Sequence, residues 1–302
     1  MSRRLARWSY PVVVASLFYT AGVAAQRRTL SVDGHIAYSH VEKLVSFGPR
    51  PPGSPASAQS QAYISDVLRK LGLQVEHQDF LATTPNGPLS MKNMTAKTHH
   101  SGKPIVILAS HYDTRVMTNV AFVGANDGGS STGLLLELAR VLSRRPNAFD
   151  LWFVFFDGEE AQREWSETDS LYGSRYFVEK LGADGHTRSI KAMFLLDMVG
   201  DRDLKLENDA SSTPWLMELV RKSATALGYS KHLAASPKGM VDDHIPFIRA
   251  GIAAVDLIDF DYGFNHSLWH TPNDTLDKIS PQSLKIVGDI VVRTIENLSQ
   301  MP

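Results

Sequence analysis

Residues 151–160 read Leu-Trp-Phe-Val-Phe-Phe-Asp-Gly-Glu-Glu, an apolar run that ends in three carboxylates around a glycine. The run has the length of a buried strand, and such unbroken runs are typical of parallel sheets covered on both faces. Functional groups of parallel sheets gather where the strands end. This stretch therefore predicts a central strand that delivers Glu159 and Glu160 to one edge of a sheet.

Three further apolar runs are also followed directly by a histidine or an aspartate. They are Ile105–Ser110 before His111, Ala192–Leu196 before Asp197, and Ile252–Val255 before Asp256. Stretches with helical spacing of apolar residues are predicted at 32–48, 56–71, 133–142, 177–181, 215–227 and 284–298, and another strand at 73–80. The alternation predicts an α/β protein, a single-domain three-layer α/β/α sandwich with a mostly parallel mixed central sheet.

Polar residues of the same kinds occur in three loops. Asp127 lies in Gly-Ala-Asn-Asp-Gly, Asp242 in Asp-Asp-His, and His270 in Trp-His-Thr-Pro. Taken alone, Asp127 and Asp242 could each cap a helix. Gathered at one sheet edge, these carboxylates would repel one another unless a dication lay among them. The set as a whole therefore predicts a metal site.

Composition narrows the chemistry of this site. The 302 residues include no cysteine, which excludes disulfides, thiolate metal sites and a cysteine nucleophile. A metal site must then be built from His, Asp and Glu, and such ligands suit zinc in an open, catalytic geometry. The formal net charge is -1, so we expect no nucleic-acid partner.

The N-terminus has the pattern of an export signal. Three arginines within the first seven residues precede an apolar stretch over residues 10–24. The pattern predicts a signal peptide over residues 1–25 and a mature domain over residues 26–302 that is secreted or periplasmic. The alternative is an uncleaved signal anchor, which would be the route of membrane attachment. For the mature domain we expect a monomer.

The chain resembles the zinc aminopeptidases of family M28 from about residue 45 to residue 280. The matching stretches are His111-Tyr-Asp113, Gly124-Ala-Asn-Asp127-Gly, Phe156-Asp-Gly-Glu159-Glu160, Leu196-Asp197, Asp243-His244 and His270-Thr-Pro-Asn-Asp-Thr275. Within this family it is similar to the glutaminyl-peptide cyclotransferases of bacterial type. The insertion 161–172 after Glu160 is typical of the cyclotransferases, as are Asp242-Asp-His-Ile-Pro-Phe247 and a tryptophan, Trp269, directly before His270.

The resemblance implies a zinc ion held by Asp127, Glu160 and His270. In the peptidases of the family, His111 and Asp197 complete a second metal site, and both residues are present here. One zinc ion is therefore expected of a cyclotransferase and two of a peptidase.

The resemblance also implies roles around the metal. Glu159 would be the acid/base, Asp197 and Asp242 further catalytic carboxylates, and Trp165 and Trp269 the lining of the substrate pocket. Asp256 stands where the animal enzymes have a histidine, and a carboxyl group can donate a hydrogen bond there only when it is protonated.

The activity that the resemblance implies is closure of the N-terminal glutamine of a peptide or protein into pyroglutamate, with release of ammonia. Zinc would polarise the γ-carbonyl group, and Glu159 would carry a proton from the attacking amine to the leaving ammonia. An M28-type aminopeptidase with one or two zinc ions is the first alternative, and a binding module without catalysis on the same fold is the second.

Overall fold

The strands and helices alternate along the chain. A computed structural model describes residues 31–98 and 101–301. Within these residues the strands are β1 (Gln74–Thr84), β2 (Gly87–Lys97), β3 (Ile105–His111), β4 (Asp150–Phe156), β5 (Ile190–Asp197), β6 (Leu206–Asp209), β7 (Leu233–Lys238) and β8 (Ala254–Ile258). The helices are α1 (Gly34–Val45), α2 (Pro55–Lys70), α3 (Gly129–Leu142), α4 (Tyr172–Ala183), α5 (Pro214–Ala226), α6 (His244–Arg249) and α7 (Pro281–Leu298). The predicted signal peptide lies outside the described residues. Within them, no helix has both the length and the apolar character that a membrane span needs.

One sheet runs through the described part of the chain, with six strands in the order β1-β2-β4-β3-β5-β8. The neighbours among β4, β3, β5 and β8 are parallel. β1 and β2 form an antiparallel hairpin, and β2 is also antiparallel to β4. β6 and β7 pair with each other in parallel, apart from this sheet. The carboxyl ends of the four parallel strands therefore meet at one edge.

Helices cover both faces of the large sheet. Phe177 of α4 and Phe247 of α6 pack against Phe156 of β4, in a buried cluster with alternate residues of β3, β4 and β5. α3 contacts the same strands, but none of its described residues belongs to this cluster, so it lies on the opposite face. α1 and α7 pack against α3. The predicted α/β/α sandwich with a mostly parallel mixed sheet is confirmed.

The close approach of α1 to α3 depends on Gly133. A Cβ atom at this position would lie 2.6 Å from Val41 Cγ2 and 2.7 Å from the carbonyl oxygen of Ala37. A larger residue would push the two helices apart. Because α3 begins at Gly129, directly after the loop that contains Asp127, this packing helps to fix one side of the sheet edge.

Four of these strands and helices were not predicted from the sequence, namely β2, β6, β7 and α6. The buried positions of β2 include polar residues, which an apolar pattern does not reveal. Asn93 is buried because its Nδ2 donates to the carbonyl oxygen of Gly173 at 2.9 Å and its Oδ1 accepts from the backbone N–H of Asp157 at 3.1 Å. Hydrogen bonds that satisfy a buried amide replace the apolar contacts that a typical buried strand makes.

Candidate metal centre and active site

The carboxyl edge of the sheet brings a histidine into contact with two carboxylates. His270 Nε2 lies 3.0 Å from Glu160 Oε1 and 3.2 Å from Asp127 Oδ2. One ligand atom from each of these residues lies within 4.8 Å of the others, and we call Asp127, Glu160 and His270 the triad. Glu160 Oε2 is buried and has no hydrogen-bond partner among the described residues. One imidazole and two buried carboxylates, one of which has an oxygen without a hydrogen bond, suit a dication such as zinc.

Asp127 belongs to a second group as well. Its Oδ1 lies 3.3 Å from His111 Nε2, and Asp197 Oδ1 lies 3.0 Å from the same nitrogen. His111, Asp127 and Asp197 together form another set that could hold a metal ion. The two carboxylate oxygens of Asp127 thus face different histidines, so one side chain joins two adjacent candidate positions for a cation.

A tight loop places Asp127 between these histidines. Gly124 and Gly128 have φ angles of +51° and +72°, in the left-handed region that glycine adopts at little cost. A Cβ atom on Gly124 would lie 2.4 Å from the carbonyl oxygen of Asp127. α3 begins at Gly129 with Gly128 in the N-cap position, so Asp127 is not the cap of this helix. Its carboxylate is instead directed at His111 and His270.

Glu159 and Glu160 follow β4, and a third carboxylate holds the backbone that carries them. Asp113 Oδ1 accepts from the N–H of Glu159 at 3.2 Å, and its Oδ2 accepts from the N–H of Glu160 at 3.3 Å. The side chains then diverge. Glu160 contacts His270, whereas Glu159 Oε2 lies 4.0 Å from His111 Nδ1. One glutamate therefore joins the triad, and the other lies beside it in the same pocket.

These groups open into a pocket of about 400 Å³, a volume within the range of small-molecule sites. Its apolar lining includes Trp165, Trp269, Phe260 and Met240. The Trp269 ring stacks on the imidazole of His270, with 4.0 Å between the ring centroids. Both tryptophans that the resemblance implies for substrate binding thus line the pocket, and one of them also packs on a candidate ligand.

The loop 161–171 carries Trp165 and is closed by hydrogen bonds at both ends. The Asp169 carboxylate accepts from three consecutive backbone N–H groups near the start of the loop, at 2.8, 2.9 and 3.0 Å. Leu171, the last residue, donates its N–H to the carbonyl oxygen of Glu159 at 2.8 Å. Trp165 nevertheless stays 42% exposed at the pocket. The exposed tryptophan is thus carried by a well-anchored loop.

Asp242 lines the pocket, whereas Asp256 is fully buried in the core. Asp256 Oδ2 lies 3.9 Å from His244 Nδ1, and His244 Nε2 lies 3.2 Å from Asp209 Oδ2. Asp209 also accepts a hydrogen bond from Ser212 Oγ. The imidazole therefore lies between two carboxylates, and the three residues are close enough to hold a cation.

Two of the residues that line the pocket have a left-handed backbone. Met198 has a φ of 49° and His270 a φ of 51°. A non-glycine residue in this region costs about 1–3 kcal/mol, and such residues cluster at functional sites. The strain falls on His270, one of the three members of the triad.

Comparisons with known proteins agree with this geometry. The chain matches the model of peptidase family M28 over residues 93–295. It is 31% identical over 271 residues to a glutaminyl-peptide cyclotransferase-like protein of Bos taurus, a match that covers 80% of this chain and 70% of the relative. The crystal structure of an Acidobacteriales bacterium glutaminyl cyclase is 39% identical with a TM-score of 0.87, and the match covers 91% of this chain and 98% of that one. The chain belongs to the glutaminyl-peptide cyclotransferases of peptidase family M28.

The family resemblance inferred from the sequence is therefore confirmed. A solved structure that is named as a peptidase is similar too. A Zn-dependent exopeptidase from Parabacteroides distasonis is 26% identical to this chain with a TM-score of 0.81, and the match covers 89% of this chain and 99% of that one. The fold alone therefore does not separate the cyclases from this exopeptidase.

Burial governs the electrostatics of the site. It raises the pKa of Glu159 well above its ordinary value, and nearby carboxylates such as Asp242 raise it further. Burial and the charge of Asp127 raise the pKa of Glu160 to about 7. For His270 burial acts in the opposite direction, but contacts with Asp127 and Glu160 outweigh it and raise the pKa of His270 to about 9. A site with so many buried carboxyl groups favours positive charge, which fits a bound dication.

Three residues of the site have no role in the sequence prediction. Asp113 could have been found, because it follows β3 just as the predicted carboxylates follow their strands. Arg115 and Lys238 line the pocket, where Arg115 Nη1 lies 4.0 Å from Glu160 Oε2 and Lys238 Nζ lies 4.8 Å from the centre of the Phe260 ring. No local pattern marks Lys238, since it reaches the pocket only through the packing of β7.

Proposed function

We propose that this protein converts the N-terminal glutamine of peptides or proteins into pyroglutamate and ammonia, with one zinc ion held by Asp127, Glu160 and His270. One observation carries the proposal. Glu159, a buried carboxyl group outside the triad, lies next to it in an apolar pocket. The names of the relatives, glutaminyl cyclases and glutaminyl-peptide cyclotransferases, point to the same reaction.

The reaction forms one bond and breaks one. The α-amine nitrogen attacks the side-chain amide carbon of the same glutamine, and the bond from this carbon to the amide nitrogen breaks. Zinc, when bound, supplies a Lewis acid for the amide oxygen. Glu159 accepts a proton from the attacking amine and returns it to the departing nitrogen, which leaves as ammonia. Burial raises the pKa of Glu159 above its ordinary value, which makes its carboxylate a stronger base for the amine proton.

The pocket supplies orientation. Because nucleophile and electrophile belong to one molecule, the protein mainly has to hold the glutamine folded on itself. Trp165 and Trp269 would grip the side chain and exclude water. Asp197 and Asp242 would be further catalytic carboxylates near Glu159, since both line the same pocket.

A metallo-aminopeptidase is the second candidate, and a specific observation favours it. His111 and Asp197 complete a second group around Asp127, so the side chains for two zinc ions are present. In such an enzyme Glu159 would take a proton from water, and the first peptide bond would be hydrolysed. The close similarity to the cyclases makes this the weaker candidate.

The products separate the two candidates. Purified protein is incubated with a peptide that begins with glutamine, and ammonia, free glutamine and peptide mass are measured together. Cyclisation gives ammonia and a pyroglutamyl peptide in equal amounts, whereas hydrolysis gives free glutamine. The same peptide with an acetylated amine is the control, because it has no free nucleophile. Free glutamine as the main product would refute the proposal, and zinc analysis of the same sample counts the ions.

We further propose that residues 1–25 are a signal peptide and that residues 26–302 form an exported, monomeric catalytic domain. The basic and apolar pattern of the N-terminus supports export. Cell fractionation with N-terminal sequencing of the protein tests both cleavage and location. A protein that stays in the membrane with residues 1–25 intact would favour the uncleaved anchor, and light scattering would give the oligomeric state.

A further inference from the structure

Asp274 is buried in a segment that is otherwise at the surface. Pro272 and Asn273, just before it, are exposed. The backbone N–H of Asp274 donates to the carbonyl oxygen of Thr271 at 3.2 Å, and this turn directs the carboxylate inward. A buried carboxylate is costly unless hydrogen bonds satisfy its oxygens. The groups that donate hydrogen bonds to the Asp274 carboxylate therefore indicate its structural role.

Those donors belong to the loop that carries Asp127. Asp274 Oδ1 accepts from the backbone N–H of Asn126 at 2.8 Å, and Oδ2 accepts from the backbone N–H of Asp127 at 3.1 Å. The carbonyl oxygen of Asp274 accepts from the N–H of Ala125 at 3.4 Å. One residue thus binds three consecutive backbone N–H groups that precede α3.

A third donor to the carboxylate comes from a residue that packs behind the lining of the pocket. The hydroxyl of Tyr262 donates to Asp274 Oδ1 at 2.8 Å. Tyr262 is fully buried and packs in a cluster with Met198 and Met240, against which Trp269 is packed. The hydrogen bond therefore connects the lining of the pocket to the loop of Asp127.

The same short segment also supplies His270. Its Nε2 lies 3.2 Å from Asp127 Oδ2. Asp127 is therefore held from two sides by residues only four positions apart, at the side chain by His270 and at the backbone by Asp274. Any shift of this segment would move both members of the triad relative to Glu160.

On the basis of the proposed zinc site, we propose that Asp274 and Tyr262 are positioning residues that fix the backbone of Asp127 and so set the affinity of the triad for zinc. Neither residue lines the pocket, and the Asp274 side chain contacts Asp127 at its backbone N–H, away from the carboxylate that would bind zinc. Their effect passes through the orientation of the Asp127 carboxylate, in the way that groups which orient metal ligands tune metal affinity.

The test compares zinc affinity in full-length variants by competition with a chelator of known affinity. Asp274→Asn places an amide N–H₂ among N–H donors, and the zinc dissociation constant should rise about 10–100-fold. Tyr262→Phe keeps the buried ring and removes one hydrogen bond, so we expect a smaller rise, about three- to tenfold. The activity of both variants should recover when free zinc is raised above the new dissociation constant.

Asp259→Asn is the matched control. Asp259 is also a buried carboxylate of this region, and its Oδ2 accepts from the backbone N–H of Lys205 at 2.7 Å, away from Asp127. This variant should bind zinc as the wild type does, and circular dichroism of the zinc-free proteins monitors folding. If Asp274→Asn fails to fold, Tyr262→Phe decides the question alone.

Zinc dissociation constants equal to that of the wild type in Tyr262→Phe and in any folded Asp274→Asn would overturn the inference while leaving the proposed function intact. A loss of activity that excess zinc does not restore, at unchanged affinity, would overturn it too. A wild-type protein that binds no zinc would instead refute the proposed function itself, and this inference with it.

Discussion

The assignment of different roles to two adjacent glutamates is the sharpest consequence of the site. Both residues are buried and follow the same strand, and Glu→Gln changes one atom in each. Glu160 Oε1 lies 3.0 Å from His270 Nε2, inside the triad, whereas Glu159 Oε2 lies 4.0 Å from His111 Nδ1, outside it. The same substitution should therefore have different effects at the two positions.

The magnitudes follow from these positions. A general acid/base contributes about 10²–10⁴-fold, so Glu159→Gln should lower kcat by this factor, which corresponds to about 3–5 kcal/mol of transition-state stabilisation. Its zinc affinity should stay close to that of the wild type, because the triad is untouched. Glu160→Gln removes a charged ligand of the zinc ion. Loss of a group that only orients a ligand lowers metal affinity about 10–100-fold, so this variant should lose more than that.

The assay measures both quantities on the same preparations. Zinc affinity is obtained by chelator competition, and kcat from ammonia release with a glutaminyl peptide at saturating zinc. A Glu159→Gln variant that keeps more than about a tenth of the wild-type kcat would refute the role of Glu159 as a proton carrier. A Glu160→Gln variant that binds zinc as tightly as the wild type would refute the triad.

Three further predictions concern the pocket and the core. Trp165→Ala should raise KM roughly fivefold, since contact with a half-exposed ring contributes about 1 kcal/mol to substrate binding. Trp215→Ala is the control and should leave KM unchanged, because Trp215 lies on α5 with a similar exposure, 40% against 42% for Trp165. Burial lowers the pKa of His40 from 6.5 to about 4, so the folded state favours the neutral ring. The free energy of unfolding should therefore decrease as the pH falls from 6.5 towards 4. His40→Gln should reduce this decrease, which urea titrations at pH 7 and pH 5 measure. Phe247→Ala should lower the free energy of unfolding by about 3–5 kcal/mol in urea titration, because the ring is fully buried between Phe156 and Phe177, and a loss under 1 kcal/mol would show that the core repacks.

The parallel half of the sheet could be predicted because its strands consist mostly of apolar residues. β3, β4 and β8 are buried at every position, so their apolar runs stand out. The carboxylates that follow β4 indicate the edge of the sheet, whereas Asp256, which was predicted to follow a strand, lies inside β8. β2 could not be predicted in this way, because hydrogen bonds rather than apolar contacts hold Asn93 inside.

Within the site, residues at the ends of predicted strands or in family motifs were predictable, whereas roles that depend on contacts with a distant loop were not. Asp127, Glu160 and His270 lie in stretches that resemble a known family, and the structure brings them together. Asp274 lies in the same motif as His270, but its role depends on bonds to a loop about 150 positions earlier in the chain. Such pairings follow from the tertiary fold and leave no local periodicity.

The way the loop 161–171 is anchored has a consequence for how members of this family diverge. The Asp169 carboxylate and the Leu171 N–H close the loop through bonds to backbone atoms, so these bonds do not depend on the side chain of Trp165. Trp165 can then be exchanged while the loop stays closed and the zinc-binding residues stay in place. Selection for new peptide substrates can act on this segment separately from selection for folding, and grafting it between homologues offers a direct route to altered specificity.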